Sequence, residues 1–511
     1  MSREKNMRTD GADLGCRAGA DRMSGKGGAF RTDGRGRSAG LIKALLAVLL
    51  LIGAMLAGCA DSGRRDADRG VSSGTSSSSS SSDSSSGSAA DRAASGGSGS
   101  APGASSDSSS GGPAKSGGSA AGGTLGSRSP AGNPQAAPGQ LTAGEWRDVE
   151  RWDDWLELLG GREGSDNRHY WEFFRFDRLV VRAVAGGLPI ADADVVVKDA
   201  DGRVVWRAKT DVDGYAYAYA RMFERGGADR RMPESEGDRD SRTYRARWEQ
   251  EEGFSRGRPG YNVEVRAGGE SKLLSHVPIP RGEPLVVTFD RRPGPSDAVD
   301  LMFVVDTTGS MQDEIDFLRE ELKDVITRAR QGAGQLDVEV SVVFYRDRYD
   351  DYVFKPYAFT SDIDWIVQRI AEERAEGGGD YPEAVEQALT HAVSGQEWRR
   401  SARTRLLFLV GDAPPRNEPQ ILDELHDATR EAAELGIRIV PVASSGVDVN
   451  TEYLMRFLAA ATGGTYVFLT DHSSIGHDHL EPAVGEFEVR PLNDLLVEII
   501  RRFAGLPPEN G

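Results

Sequence analysis

The C-terminal part of the chain alternates between two hydrophobic patterns. From about residue 297, short continuous apolar runs are separated by segments in which apolar residues recur every three or four positions. The runs are typical of strands buried on both faces of a parallel sheet, and the segments between them are typical of helices that cover such a sheet. This order predicts a doubly wound α/β domain over residues 296–507. Its predicted strands are residues 301–305, 338–344, 406–410, 437–442 and 466–469.

The preceding segment, residues 173–292, has the period of two that is typical of β-strands. Short β-branched runs at residues 180–184, 193–197 and 203–206 are separated by turn residues, and tyrosines alternate with alanines over residues 215–219. This pattern predicts a β-sandwich domain.

A third pattern lies just before the predicted sandwich. Trp146, Val149, Trp152, Trp155 and Leu156 recur at spacings of three or four. The spacing predicts a short amphipathic helix over residues 145–159, within a helical segment at residues 141–172. A tryptophan stripe of this kind is typical of a helix that packs on a neighbouring domain.

The N-terminal part of the chain predicts a targeting segment and a tether. Basic residues precede an apolar stretch, residues 44–56, which ends in Leu-Ala-Gly-Cys at Cys59. This order is typical of a secretory signal peptide, and its ending resembles the bacterial lipobox, in which the cysteine is lipidated. The alternative is a plain transmembrane anchor, but the stretch is shorter than the roughly 20 residues that a spanning helix needs. Residues 1–59 are therefore predicted to be a lipoprotein signal peptide, and the Ser- and Gly-rich residues 60–140 a disordered tether.

The overall charge and the cysteine content exclude several classes of function. The net charge of −18 comes without a basic face, which argues against nucleic-acid binding. The only cysteines, Cys16 and Cys59, precede the predicted folded segments, which excludes disulfides and cysteine catalysis there. The Ser-His-Asp order, HExxH and the P-loop are absent from the sequence, so we expect no enzymatic activity.

Oxygen-bearing side chains follow two of the predicted parallel strands. Asp306, Thr308 and Ser310 come directly after the first strand, and Asp412 follows the third. The carboxyl ends of strands in open α/β sheets are where ligands bind. Carboxylates and hydroxyls are hard ligands, which favours Mg²⁺ or Mn²⁺ over zinc or copper.

Three motifs in this domain resemble those of the von Willebrand factor A family. They are Asp-x-Thr-Gly-Ser-Met from residue 306, Gly-Gly-Gly-Asp-Tyr-Pro-Glu from residue 377, and Leu-Phe-Leu-Val-Gly-Asp-Ala-Pro from residue 407. The resemblance implies a Rossmann-like fold and a metal-ion-dependent adhesion site (MIDAS) that holds Mg²⁺, Mn²⁺ or Ca²⁺. By resemblance, its ligands are Asp306, Thr308, Ser310, Asp380 and Asp412. The preceding segment, with Gly-x-Pro-Ile from residue 187 and Thr-Asp-x-Asp-Gly from residue 210, resembles the carboxypeptidase-regulatory or transthyretin-like sandwich.

Asp380 carries two open interpretations. The family's usual second-loop ligand is threonine, so an aspartate there would add negative charge and favour weaker or neutral-oxygen partner ligands. Asp380 with Glu383 three residues later also matches a helix capping box. The two roles are compatible.

The resulting expectation is a lipid-anchored, extracytoplasmic adhesion or scaffolding protein of the cell envelope, on its periplasmic or outer side. It would bind a protein partner, through an acidic or neutral oxygen, by way of the divalent ion. One alternative is a structural envelope protein that contacts cell wall or glycan through the sandwich without metal. A remote alternative is an aspartyl-phosphate phosphotransferase with Asp306 as nucleophile, although the acidic residue expected after Asp412 is absent. His472, His477 and His479 either bind zinc or lie in a solvated loop.

Overall fold

An eight-stranded mixed sheet organises the C-terminal part of the chain. The computed structural model describes residues 136–225, 260–278, 282–294, 296–332 and 336–508. The predicted signal peptide, Cys59 and nearly all of the predicted tether lie outside these residues. In spatial order the strands are β12 (Phe354–Thr360), β11 (Asp337–Tyr345), β10 (Ala298–Asp306), β13 (Thr404–Gly411), β14 (Ile437–Ala443), β15 (Tyr466–Leu469), β1 (Thr142–Trp146) and β16 (Arg490–Pro491).

Strands β11, β10, β13, β14 and β15 are mutually parallel. Strands β12 and β1 pair antiparallel with β11 and β15, and β16 pairs antiparallel with β1. Side chains of β10 alternate between two cores: Leu301 and Phe303 point to one face, Met302 and Val304 to the other. All five predicted strands are present in this sheet. Helices cover both of its faces, which confirms the predicted α/β fold. They are α3 (Ile315–Gly332), α4 (Ile363–Glu372) and α8 (Leu492–Phe503) on one face, and α5 (Val385–Ser394), α6 (Pro419–Leu435) and α7 (Val449–Thr462) on the other.

The helix predicted over residues 145–159 is wrong in its first part. Residues 142–146 form β1, which pairs antiparallel with β15 so that Ala143 faces Leu469 and Trp146 faces Tyr466. Helical structure begins only afterwards, with α1 (Trp152–Gly160) and α2 (Arg162–Tyr170). Trp146 is buried against the last parallel strands rather than on a helix face. The tryptophan spacing therefore extended across a strand–helix boundary.

Two four-stranded sheets occupy the described part of residues 178–289, called here the β region. The strands are β2 (Arg178–Ala185), β3 (Leu188–Pro189), β4 (Asp194–Lys198), β5 (Val204–Lys209), β6 (Tyr215–Tyr219), β7 (Tyr261–Ala267), β8 (Glu270–Val277) and β9 (Leu285–Phe289). The first sheet has the order β3-β2-β6 with β9 paired to β2, and the second has the order β5-β4-β7-β8. Their inward side chains, such as Val181, Val195 and Val263, belong to one buried cluster.

An aromatic cluster joins the β region to helices α1 and α7. Trp155 of α1 lies edge-on to Phe457 of α7 with ring centroids 5.7 Å apart, and Phe173 stacks on Phe457 at 5.0 Å. The Tyr219 hydroxyl at the end of β6 donates a hydrogen bond to the Ala460 carbonyl at 2.9 Å. The predicted packing of the tryptophan-bearing helix on neighbouring structure is therefore confirmed.

A buried ion-pair network fastens the same junction. Arg456 of α7 donates to both carboxylate oxygens of Asp148 at 3.1 and 2.7 Å, and to Glu452 at 3.0 Å. The three side chains are at most 2% exposed. A network this deeply buried fixes the position of the segment after β1 relative to α7.

Across the described ranges, none of the helices combines the length and apolarity that a membrane span requires.

Candidate functional site

The first loop of the site holds its hydroxyls through a buried carboxylate. Asp306 ends β10, and its Oδ1 accepts hydrogen bonds from the Thr308 amide at 2.8 Å and from the Thr308 hydroxyl at 2.7 Å. The Ser310 hydroxyl lies 3.1 Å from the Thr308 hydroxyl. Asp306 and Thr308 are fully buried, whereas Ser310 is exposed. The loop thus presents a row of oxygens that leads from the buried carboxylate to solvent.

Asp412 reaches the same edge from the neighbouring strand. β13 pairs parallel with β10, with Val410 opposite Val305, so the residues that follow both strands meet. Asp412 is 4% exposed, and its Oδ1 has no hydrogen-bond partner. Burial raises the pKa of Asp412 to about 6, although a hydrogen bond from the Ser310 hydroxyl acts in the opposite direction. The structure therefore brings together Asp306, Thr308, Ser310 and Asp412, as predicted.

The glycine-rich second loop packs directly on the first. The Gly309 amide donates to the Gly377 carbonyl at 3.1 Å. Gly378 has a left-handed backbone, with φ of +77°, and its amide donates to Asp350 at 2.8 Å. A Cβ on Gly378 would lie 3.3 Å from Glu383 Oε1 and 3.4 Å from the Thr308 Cβ. A side chain at this position would therefore press on Glu383 and strain the backbone.

Asp380 lies at the exposed rim of this loop. Its two carboxylate oxygens accept hydrogen bonds from Arg416 Nη2, each at 2.8 Å. Arg416 also donates to both oxygens of Asp347, at 2.6 and 2.9 Å. With its side chain 62% exposed and engaged by Arg416, Asp380 is placed differently from the other four predicted ligands.

The capping-box interpretation of Asp380 and Glu383 is wrong. Helix α5 begins at Val385, its N-cap residue is Ala384, and no side chain caps it. Glu383 instead lies inside the site: it is 3% exposed, and its amide donates to the Pro414 carbonyl in the loop after β13 at 2.9 Å. The sequence pattern predicts only a capping role for Glu383. An acidic residue directly before an apolar helix gives no sign of which way it points.

The acidic groups of the site raise one another's pKa values. Burial, followed by the charge of Asp412, raises the pKa of Asp306 to about 7. Burial, followed by the charge of Asp306, raises the pKa of Glu383 to about 9. The pKa values are raised because the site is shielded from water and no positive charge compensates the repulsion between the ionised carboxyls.

A divalent cation fits the donor set of this site. Buried oxygens without hydrogen-bond partners are present on Glu383 and Asp412. Among the described residues, no three His, Cys, Asp or Glu side chains are grouped closely enough to hold an ion by themselves. Direct coordination would therefore combine carboxylates with the hydroxyls of Thr308 and Ser310, a hard oxygen set that suits Mg²⁺ or Mn²⁺.

The site lies within a segment that matches a known protein family. Residues 300–471 match the family model described as the von Willebrand factor A domain. The chain contains a von Willebrand factor A domain. The resemblance inferred from the three motifs is thereby confirmed for residues 300–471, which lie in the vWA domain.

Curated relatives are similar to this chain over a limited length. The chain is 29% identical over 136 residues to the alpha-protein kinase vwkA of Dictyostelium discoideum, which is 26% of this chain and 21% of that protein. It is 32% identical over 147 residues to von Willebrand factor A domain-containing protein 7 of Rattus norvegicus, 28% of this chain and 15% of that protein. The matches thus span about a fifth of these relatives' length or less.

Among solved structures, the conserved hypothetical protein BatB from Bacteroides thetaiotaomicron is similar at 13% identity and a TM-score of 0.23. That similarity covers 41% of this chain and 87% of that chain.

The histidine-rich loop beside the vWA site is arranged by acidic partners. The His479 side chain is 4% exposed and lies between Asp471, at 2.8 Å, and Glu314, at 3.1 Å. Hydrogen bonds to these carboxylates raise the pKa of His479 against the opposing effect of burial. His472 and His477 are exposed, and no metal-holding group of the described residues includes them. The zinc interpretation gains no support.

Proposed function

We propose that the vWA domain binds a protein partner through a divalent cation held at Asp306, Thr308, Ser310 and Asp412. The observation that carries this proposal is the meeting of two buried, mutually repelling aspartates beside two hydroxyls at the carboxyl ends of β10 and β13. Mg²⁺ is the favoured ion, with Mn²⁺ or Ca²⁺ as substitutes.

Each residue of the site has a defined task in this proposal. Asp306 orients the Thr308 hydroxyl through the 2.7 Å hydrogen bond and contributes negative charge from the buried side. Asp412 faces the site from the adjacent loop with an oxygen that has no hydrogen-bond partner. Exposed Ser310 marks the open side, where a partner's oxygen would approach. The bound ion would supply the positive charge that attracts that oxygen.

The remainder of the chain suggests how the domain is displayed. The Leu-Ala-Gly-Cys ending at Cys59 supports lipid anchoring in the cell envelope, and residues 60–140 have the composition of a flexible tether. The two sheets of the β region are compatible with a carboxypeptidase-regulatory-like sandwich that acts as a spacer. We therefore propose a non-enzymatic adhesion or scaffolding role outside the cytoplasm.

Calorimetric titration of Mg²⁺ and Mn²⁺ into the purified full chain tests the ion site. We expect saturable binding by the unmodified protein and none by Asp306→Asn, because the buried carboxylate is lost while its shape is kept. Asp427→Asn is the matched control: Asp427 is 78% exposed on α6 and pairs with Arg430. Absence of binding in the unmodified chain, or equal binding in Asp306→Asn, would contradict the proposal.

Partner binding is tested with the same variants. Envelope proteins retained by the immobilised chain in Mg²⁺ should be released by EDTA and should not be retained by Asp306→Asn. Retention that persists in EDTA would favour the metal-independent structural role instead.

A further inference from the structure

A histidine side chain fastens the loop after β15 to the rest of the vWA domain. The nearly fully buried His479 ring places Nδ1 2.8 Å from Asp471 Oδ1 and Nε2 3.1 Å from Glu314 Oε1. The His479 amide also donates to Asp471 Oδ1 at 3.0 Å. Residues 471–479, called the strap below, are thus closed on themselves through Asp471 and held to the domain through Glu314.

Glu314 is the point at which the strap meets the first loop of the site. It is fully buried and directly follows the helical turn Gly309–Asp313, which contains Ser310. Its carboxylate also accepts a hydrogen bond from the Ser445 amide, in the loop after β14, at 3.2 Å. Gly476 of the strap packs so closely on this carboxylate that a Cβ there would overlap Oε1. One carboxylate therefore joins the strap, the first loop and the loop after β14.

The two contacts of the His479 ring require one proton more than a neutral imidazole carries. Ionised carboxylates only accept hydrogen bonds, and a neutral imidazole has a single N–H donor, whereas an imidazolium has two. With the ring protonated, both nitrogens donate to the carboxylates that face them. Without the extra proton, one nitrogen would direct its lone pair at a carboxylate oxygen. The fastening of the strap therefore depends on the protonation state of His479.

The charges that surround His479 favour its protonated form. Burial alone would lower the pKa of His479, but the hydrogen bonds with Glu314 and Asp471 raise it above the ordinary value of 6.5. Other titratable groups lie around this cluster on the neighbouring segments: Asp313, Asp412, His472 and His477. The carboxylates among them carry the charge opposite to that of the imidazolium, which agrees with a protonated ring.

We propose that residues 471–479 are a pH-sensitive strap that steadies the first loop of the site, fastened to Glu314 while His479 is protonated and released when that proton is lost. The inference goes beyond the proposed function, because the fastening requires neither an ion nor a partner. The folded state raises the pKa of His479 above 6.5. The stabilisation by the strap is therefore complete below the pKa of the unfolded chain and is lost as the pH rises through that of the folded protein.

Hydrogen exchange of the full chain in EDTA, followed by mass spectrometry, tests the inference at about pH 6 and about pH 8.5. Rates are expressed as protection relative to an unstructured peptide at the same pH. At the lower pH, His479→Gln should reduce the protection of residues 471–479 and 309–314 by at least about tenfold, the lower end expected when a hydrogen bond to a charged group is lost. At the higher pH, the variant and the unmodified chain should be alike. Comparison at equal pH cancels the titration of the site's other acids, which both proteins retain.

Two controls accompany the variant. His477→Gln alters a strap histidine that is 81% exposed and lies 3.6 Å from Asp313, and it should leave protection unchanged at both pH values. The turn at residues 199–203 is an internal reference without histidine, in which the Asp199 carboxylate accepts from the amides of residues 201 and 203 at 2.9 Å. If His479→Gln does not fold, the test is the loss of protection of the strap relative to this turn in the unmodified chain between the two pH values.

The outcomes decide the role of the strap. Lower protection in His479→Gln at the lower pH alone supports the inference. Equal protection of both proteins at that pH overturns it, as does an equal loss at both pH values, which would indicate that the histidine only fills space. A loss confined to residues 471–479 overturns the link to the first loop. Because the measurement is made in EDTA, a failure of the proposed ion binding does not affect its result.

Discussion

Replacing Arg456 by methionine is expected to lower the free energy of unfolding by about 3–5 kcal/mol. Methionine fills much of the same space, but the change leaves Asp148 and Glu452 buried without their cation. Burial already raises the pKa of both carboxyls, and Arg456 is the largest influence in the opposite direction. The substitution also removes the guanidinium that lies 4.7 Å from the centroid of the Trp155 ring.

Urea denaturation at neutral pH measures the effect of the Arg456 substitution. Arg162→Met is the control, because the Arg162–Asp166 pair on α2 is more than 60% exposed on both sides. Exposed pairs contribute about 0–1 kcal/mol, so this control should change stability little. Adding Asp148→Asn to Arg456→Met should recover part of the loss. If Arg456→Met changes stability no more than the control does, the network does not secure the segment after β1.

The metal-free protein is expected to lose stability as the pH rises from about 4 to about 9. The folded state raises the pKa of Asp306 from 3.8 to about 7, of Asp412 from 3.8 to about 6, and of Glu383 from 4.5 to about 9. The folded protein therefore binds these protons more tightly than the unfolded chain does. The associated stabilisation is complete below the unfolded pKa values and is lost as the pH passes through the folded ones.

Urea denaturation in EDTA, at about pH 5 and about pH 8, measures this loss. Saturating Mg²⁺ should restore stability at the higher pH, since the ion compensates the ionised carboxylates. The control is a double variant, Asp306→Asn with Asp412→Asn, in which the other titrating groups are unchanged. Its free energy of unfolding should decrease less between the two pH values than that of the unmodified protein. The expectation would be contradicted if the metal-free, unmodified protein lost no more stability between pH 5 and pH 8 than the double variant does.

The parallel strands were predictable because their burial is nearly complete. In β10 and β13, every position from Leu301 to Val305 and from Leu406 to Val410 is buried, so continuous apolar runs mark them in the sequence. The antiparallel β12 was missed, since it lies at the sheet edge and carries Lys355 and Pro356, which interrupt any apolar pattern.

The site could be predicted only where the sheet dictates proximity. Asp306 and Asp412 follow adjacent parallel strands, and parallel strands must bring their carboxyl ends to one edge. Glu383 lies on no strand, and its inward direction depends on where α5 begins and on the turn at Gly378. Both depend on contacts between loops, which local spacing does not encode. The pairing of Asp380 with Arg416 likewise joins two separate loops.

The antiparallel direction of β1 determines where the polypeptide enters the vWA sheet. Thr142 at the start of β1 contacts Thr470, directly after the carboxyl end of β15, with their hydroxyls 2.8 Å apart. The chain therefore enters the sheet at the edge formed by the carboxyl ends of the parallel strands, where the carboxylates after β10 and β13 also lie. Under the proposed function, a docked partner and the incoming polypeptide share that side. Whatever restrains the chain before residue 136 then also limits the angles from which a partner can approach the ion.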